Sequence, residues 1–221
     1  MIPFEELDGE VGLAFAPVGD GSAVEEHGTI RGGVAWSTIK VPLALAVAAR
    51  EPTERDEELI EAAITVSDND ASLALWEGLG TPEEAGAAVE KILASTGDEA
   101  TRVETQVVRE GFTPFGQTQW SLAAQVQLMA ALPDLPHSEW VRSCMRRVVP
   151  AQRWGLGTLG PDVELKGGWG PDPDGVDPVR QMGIVGDLAV ALAAIPADGS
   201  FASGTAILDR LAEWLAARSR S

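Results

Sequence analysis

Basic residues, cysteine and histidine are all scarce in this chain. Sixteen Lys and Arg stand against 34 Asp and Glu, giving a formal net charge of -18 over 221 residues. Such a field repels phosphate backbones and anionic lipid surfaces, which speaks against nucleic-acid binding and against a polybasic membrane anchor. One cysteine, Cys144, permits no internal disulfide, and with two histidines it forms no Cys/His metal cluster. A Ser-His-Asp triad would need His27, on an early predicted strand, or His137, a helix lead-in after Pro136; neither position favours it. No apolar run has the length of a membrane span. The first six residues carry neither a basic n-region nor an apolar h-region, so the chain as written is expected to be cytoplasmic, and exported only where a leader has been removed. Tyrosine is absent, whereas seven tryptophans are present.

What is there suits a globular protein, with 45% hydrophobic residues. Residues 11–19 alternate large and small with period two, the turn Gly19-Asp20-Gly21-Ser22 follows, and a short stretch from Val24 to His27 completes a predicted hairpin. After Gly32-Gly33 comes a helix carrying Lys40, with Pro42 tolerated only near its first turn. Helices are predicted over 54–65, over 71–79, from Pro82 to about Leu93 behind the cap Thr81, over about 119–132 and over 138–148. Strands are predicted over 163–169, 179–186 and 188–195, around a Pro/Asp-rich loop, with an amphipathic helix at the end marked by Ile207, Leu208, Leu211, Trp214 and Leu215. The 188–195 stretch is apolar throughout, which periodicity alone does not separate from a buried helix. The expected architecture is α/β (α+β). One antiparallel sheet is built from N- and C-terminal strands and flanked by helices, in a lobe of about 1–50 and 150–221. A helical lobe of about 51–149 completes a single domain spanning 1–221. A ligand site is expected in the cleft between the lobes.

Three short motifs bear on chemistry. Ser37-Thr38-Ile39-Lys40 sets a hydroxyl three residues before an amine at a helix start, so both point one way, and an amine can take a serine's proton. Ser67-Asp68-Asn69 taken alone reads as a turn and helix cap. Lys166-Gly167-Gly168 taken alone reads as a strand with a bulge or a close backbone approach.

Together and in this order, the three resemble the Ser-x-x-Lys, Ser-Asp-Asn and Lys-Thr-Gly set of class A β-lactamases and penicillin-binding proteins. Thr101-Arg102-Val103-Glu104 is similar to the segment that introduces the omega loop of class A enzymes. The resemblance implies a serine hydrolase or acyltransferase working through a covalent acyl-Ser37 on a β-lactam, amide or ester. In that reading Lys40 accepts the serine's proton, Ser67 passes one to the leaving group, and Lys166 supplies positive charge to a substrate carboxylate. Asn69 and Gly168 belong to the substrate-binding wall, and the N–H groups of Ser37 and Trp169 form an oxyanion hole. Arg180, on the next strand, is either a helper of Lys166 or a solvated strand cation. No cofactor and no metal are implied, and the partner is a small-molecule substrate, with no oligomeric state specified. Ser37 Oγ is expected within hydrogen-bonding reach of Lys40, with Ser67 and Lys166 across the same cleft. Trp36 and Trp169 are expected beside the site, and the other tryptophans in the core.

Two departures stand out. Gly167 replaces the motif's Thr or Ser, removing a hydroxyl that binds a substrate carboxylate. The omega-loop Glu-Pro is absent; by direct alignment Val107 falls at the glutamate that activates the deacylating water, with Glu104 and Glu110 nearby. Acylation with slow or no deacylation is therefore expected, and a penicillin-binding or sensor-type protein without turnover is the alternative.

Overall fold

A computed structural model describes residues 6–218; the stretch 1–5, read above for a leader, lies outside them. Its strands are β1 (Gly9–Pro17), β2 (Glu25–Gly28), β3 (Gly32–Val34), β4 (Gln119–Ser121), β5 (Glu164–Trp169), β6 (Val179–Val185) and β7 (Leu188–Pro196). The helices are α1 (Lys40–Ala48), α2 (Glu54–Thr65), α3 (Asn69–Gly78), α4 (Pro82–Ser95), α5 (Leu122–Ala131), α6 (Ser138–Arg146) and α7 (Phe201–Arg218). Five strands form one antiparallel sheet in the order β2-β1-β7-β6-β5, so the two ends of the chain meet at the β1–β7 pairing. The expected α/β architecture, with strands from both ends and helices between, is the one observed.

Alternation along the central strands explains why the sheet is buried on both faces. On β1, Val11, Leu13 and Phe15 join the cluster beneath α7, while Ala14 and Ala16 face the opposite cluster with α1 and α5. β7 repeats the division, with Val190 and Leu192 on the α7 side and Ala189, Ala191 and Ala193 on the other. Small side chains on one face let α5 come close, and large ones on the other fill the space under α7. The uniformly apolar run is therefore a strand covered on both sides. On α7, Ile207, Leu208, Leu211 and Leu215 are buried, each such burial contributing roughly 1.5–3 kcal/mol.

Local signals hold at the helix starts. Thr81 accepts from Glu84 N at 3.3 Å while Glu84 Oε2 accepts from Thr81 N at 2.8 Å, and Pro82 occupies the first helical position. One boundary is corrected: residues 119–121 are not helical. They form β4, which pairs with β3 as Gly33↔Trp120, and Ser121 then caps α5 by accepting from Ala124 N at 3.0 Å. The backbone groups of 119–121 bond to β3, a non-local partner that helical periodicity does not reveal.

Candidate active site

Ser37 lies in one turn of 3-10 helix, Trp36–Ile39, that leads directly into α1. Residues three apart eclipse in such a turn, so Ser37 and Lys40 leave it on the same side. Trp36, the residue before the serine, has φ 50, a left-handed conformation that costs a non-glycine residue about 1–3 kcal/mol. Its ring is gripped from the loop before β4, where Phe112 meets it at 5.6 Å and the Arg109 guanidinium lies 5.9 Å from its centre.

Gly168 sets the other side of the serine. A Cβ there would stand 2.9 Å from Ser37 N and 3.0 Å from both the Ala35 carbonyl oxygen and Thr38 N. The end of β5 is thereby pressed against the turn that holds the hydroxyl, the close backbone approach that a glycine permits.

The amine of Lys40 is 2% exposed at its residue and does not hydrogen-bond to Ser37 Oγ. It reaches instead to the segment before α3, donating to the carbonyls of Ser67 at 2.7 Å and Asp68 at 3.2 Å and to Asn69 Oδ1 at 2.7 Å. A longer contact of 3.4 Å runs to Ser67 Oγ. An ammonium has three hydrogens to place, and these acceptors take all of them, which is why the expected serine–lysine bond is absent in this state. Ser67 itself has φ 61, and Lys40 on its carbonyl helps hold that conformation. Asp68, not Ser67, caps α3, by accepting from Ala71 N at 2.7 Å.

Lys166, 0% exposed on β5, donates to Ser67 Oγ at 2.9 Å and to the Gly167 carbonyl at 2.9 Å. Ser67 therefore sits between two amines. Burial lowers Lys40 to about 8, against the pull of the Asp68 carboxylate in the other direction. Burial, and then repulsion from Lys40, holds Lys166 well below the usual lysine range. At neutral pH Lys40 is thus mostly charged, and Lys166 is the more depressed of the two amines.

Ser37, Lys40, Asn69, Trp36 and Trp169 line one cleft of about 770 Å³. α3 supplies a wall with Asn69, Asp70, Leu73, Trp76 and Glu77, at helical spacings that share a face. The loop before β4 supplies another wall, which includes Thr105, Val107 and Phe112. Trp76 is core as expected, 3% exposed, and also lines the cleft, whereas Trp140 is 37% exposed, so the expectation that the other tryptophans are core is corrected at Trp140.

Arg180 is not brought to this cleft. It is buried, 4% exposed, and its Nη1 donates to the carbonyls of Gly33 and Val34 at 2.8 Å each, tying β6 to β3. Burial excludes the solvated strand cation. Of the loop acids, Glu104 turns its carboxylate onto Gln106 N at 2.8 Å, and neither it nor Glu110 lines the cleft. Val107 does, 67% exposed. The carboxylates that face the cleft are Asp70 and Glu77, which carry no motif and which the sequence reading missed.

No family model matches the chain, and no curated protein matches it. Solved structures do. A chromosome-encoded β-lactamase of Vibrio parahaemolyticus superposes with a TM-score of 0.71 at 14% identity, over 98% of this chain and 96% of that one. A class A β-lactamase from Mycobacterium abscessus gives 0.69 at 16% identity, over 96% of each chain. A β-lactamase from Desulfarculus baarsii gives 0.67 at 18%, over 96% of this chain and 93% of that one. With TM-scores of 0.67 to 0.71 and nearly full mutual coverage, the chain has the fold of the β-lactamase superfamily.

Proposed function

We propose that the protein is a serine acyl-enzyme that forms a covalent acyl-Ser37 on a β-lactam, amide or ester and releases the acyl group slowly. The observation that carries this reading is the pair of buried amines meeting at Ser67, one of which, Lys40, also lines the cleft with Ser37. In the first step Ser37 Oγ bonds to the substrate carbonyl carbon and its proton passes to neutral Lys40. The bond from that carbon to the leaving nitrogen or oxygen then breaks, and the leaving atom takes a proton through Ser67. The N–H groups of Ser37 and Trp169 would hold the oxyanion, each such donor contributing roughly 2.7–4 kcal/mol to the transition state. Release needs a water and a base. Val107 at the cleft wall, where the alignment asks for a carboxylate, supports slow deacylation and favours the second reading, a penicillin-binding protein without turnover.

Lys40 acts as a base only when it has lost its proton. Acylation is therefore expected to rise tenfold per pH unit below about 8 and to level off above it. A single-turnover pH profile measures this, and a profile flat between pH 6 and 9 would sink Lys40 as the base.

Incubation with a chromogenic cephalosporin, a fluorescent penicillin and an activated ester, followed by intact mass, tests the whole reading. A stable adduct lost in Ser37→Ala supports the slow acyl-enzyme, and rapid turnover would replace it with an efficient hydrolase. Absence of any adduct with all three reagents would overturn acylation of Ser37.

A further inference from the structure

A second hollow lies beside the cleft, with Trp36 between them. Its volume is about 370 Å³, at the small end of the range for ligand sites. Trp36 and Gln117 line both spaces, whereas Ser37 and Lys40 line only the cleft. Most of the hollow's lining is apolar: Ile30, Val34 on β3, Val108 from the loop before β4, Val179 on β6, and Ala193 and Ile195 on β7.

Arg180 also lines this hollow. It stands in register between Gly168 on β5 and Ala193 on β7, on the sheet face that Gly168 turns toward Ser37. Although 4% exposed, it forms no ion pair among the described residues. Burial lowers its pKa to about 10, so the guanidinium is charged at neutral pH. Its five hydrogens form a fixed fork. Nη1 donates to the carbonyls of Gly33 and Val34 at 2.8 Å each. Nη2 has a single contact, 3.4 Å to the Trp120 carbonyl, which Nη1 shares at the same distance, and Nε has none. The Nε–Nη2 edge, which can pair with a carboxylate through two parallel bonds, is therefore left over. Hydrogens left without acceptors in a buried place cost about 1–3 kcal/mol.

The other charges leave the balance positive. Arg109 lines the hollow too, donating Nη1 to the Pro171 carbonyl at 2.6 Å with its guanidinium 4.3 Å from the centre of the Phe112 ring. Asp172 is the one acid on the lining among the described residues. Its Oδ1 is turned onto its own loop, accepting from Asp174 N at 2.9 Å and Val176 N at 3.0 Å. Two cations thus face an apolar hollow in a chain whose net charge is -18.

We infer that this hollow is a binding site, distinct from the Ser37 cleft, for a small apolar carboxylate. Its carboxylate pairs with the Nε–Nη2 edge of Arg180, and its hydrocarbon part rests on Ile30, Val34, Val179 and Ile195. Binding there does not depend on acylation of Ser37.

Calorimetric titration with octanoate, 1-octanol and octylammonium tests the ligand class, in about 0.5 M salt to screen the net charge. Octanoate is expected to bind roughly tenfold or more tighter than either of the others. Arg180→Lys keeps a charge and loses the fork, and is expected to weaken octanoate by about fivefold or more with octanol nearly unchanged. Val34→Phe fills the hollow and is expected to weaken octanoate by about tenfold or more. Amide NMR shifts locate the ligand: octanoate is expected to move Ile30, Val34 and Val179, and to leave Asp70, Leu73 and Thr105 of the cleft in place. Octanol or octylammonium binding as tightly as octanoate, shifts centred on the cleft residues, or affinity unchanged in folded Arg180→Lys or Val34→Phe overturns the inference. So does the absence of octanoate binding at millimolar concentration, and each of these outcomes leaves the acylation of Ser37 standing. Should Arg180→Lys not fold, Val34→Phe and the octanol comparison decide.

Discussion

Lys40→Met is expected to slow the acylation of Ser37 by roughly 10²–10⁴-fold, the range over which a positioned general base normally contributes. Methionine matches the length of the lysine stem and suits a buried place, so the loss falls on the amine and not on packing. Two opposing effects act on stability. A buried ammonium is removed, which relieves its desolvation; the carbonyls of Ser67 and Asp68 and the Asn69 Oδ1 lose a donor, at about 1–3 kcal/mol for a group left unpaired. Asp68 and Asn69 are exposed and regain water, while Ser67 must keep its left-handed backbone unaided. A small fall in Tm with a large fall in rate is the expected combination. The residual activity carries a second signature. Without Lys40 the repulsion that depresses Lys166 disappears, so Lys166 holds its proton to higher pH than in the parent protein. The limb near 8, which belongs to Lys40, should be lost from the pH profile of the residual reaction. A Lys40→Met rate within threefold of wild type would show that the amine holds Ser67 and Asn69 in place and takes no proton.

Much of this was legible in the chain, and for physical reasons. Period-two alternation in Val11, Leu13 and Phe15, and capping at Thr81-Pro82-Glu84, report on neighbours in sequence, and the structure returns both. The three motifs report on chemistry because a hydroxyl and two amines meet through the fold, from positions 67, 40 and 166. What stayed hidden depends on partners that no local pattern specifies. Arg180 looked available on a strand, but its position opposite Gly168 points it at the carbonyls of β3, a strand of three residues with two glycines and no apolar alternation. Residues 119–121 were read as helix because the stripe of Leu122, Val126 and Met129 extends naturally backward, while their actual bonds are to β3. The expected Ser37–Lys40 bond failed for a related reason: spacing fixes which side a lysine leaves a helix, and the reach of its stem lets distant carbonyls win the amine.

The tightest constraint on the site carries the second large expectation. In Gly168→Ala the new methyl would stand 2.9 Å from Ser37 N and 3.0 Å from two further backbone atoms of the 3-10 turn. Those neighbours are backbone, not the ends of flexible side chains, so relief requires β5 or the turn to shift. β5 is tied to β6 along its whole length, and Lys166, two residues back, is clamped to Ser67. The turn is the freer partner. Trp36 already holds a left-handed φ against Phe112 and Arg109, and moving it displaces Ser37 directly. Overpacking of this kind costs roughly 1–3 kcal/mol of stability, and a misplacement of about 1 Å at a reacting group costs on the order of 10²-fold in rate. Gly168→Ala is therefore expected to remain folded with a Tm lowered by several degrees, since 1 kcal/mol corresponds to roughly 2–4 °C in a chain of this size. Its acylation rate should fall at least thirtyfold, with the pH limb still near 8 because Lys40 keeps its surroundings. That split separates geometry from proton transfer: Lys40→Met removes the limb, and Gly168→Ala lowers the plateau beneath an unmoved limb. If Gly168→Ala acylates at the wild-type rate, the approach of β5 to Ser37 N does not govern the placement of the hydroxyl, and the proposed oxyanion pair of Ser37 and Trp169 loses its physical basis.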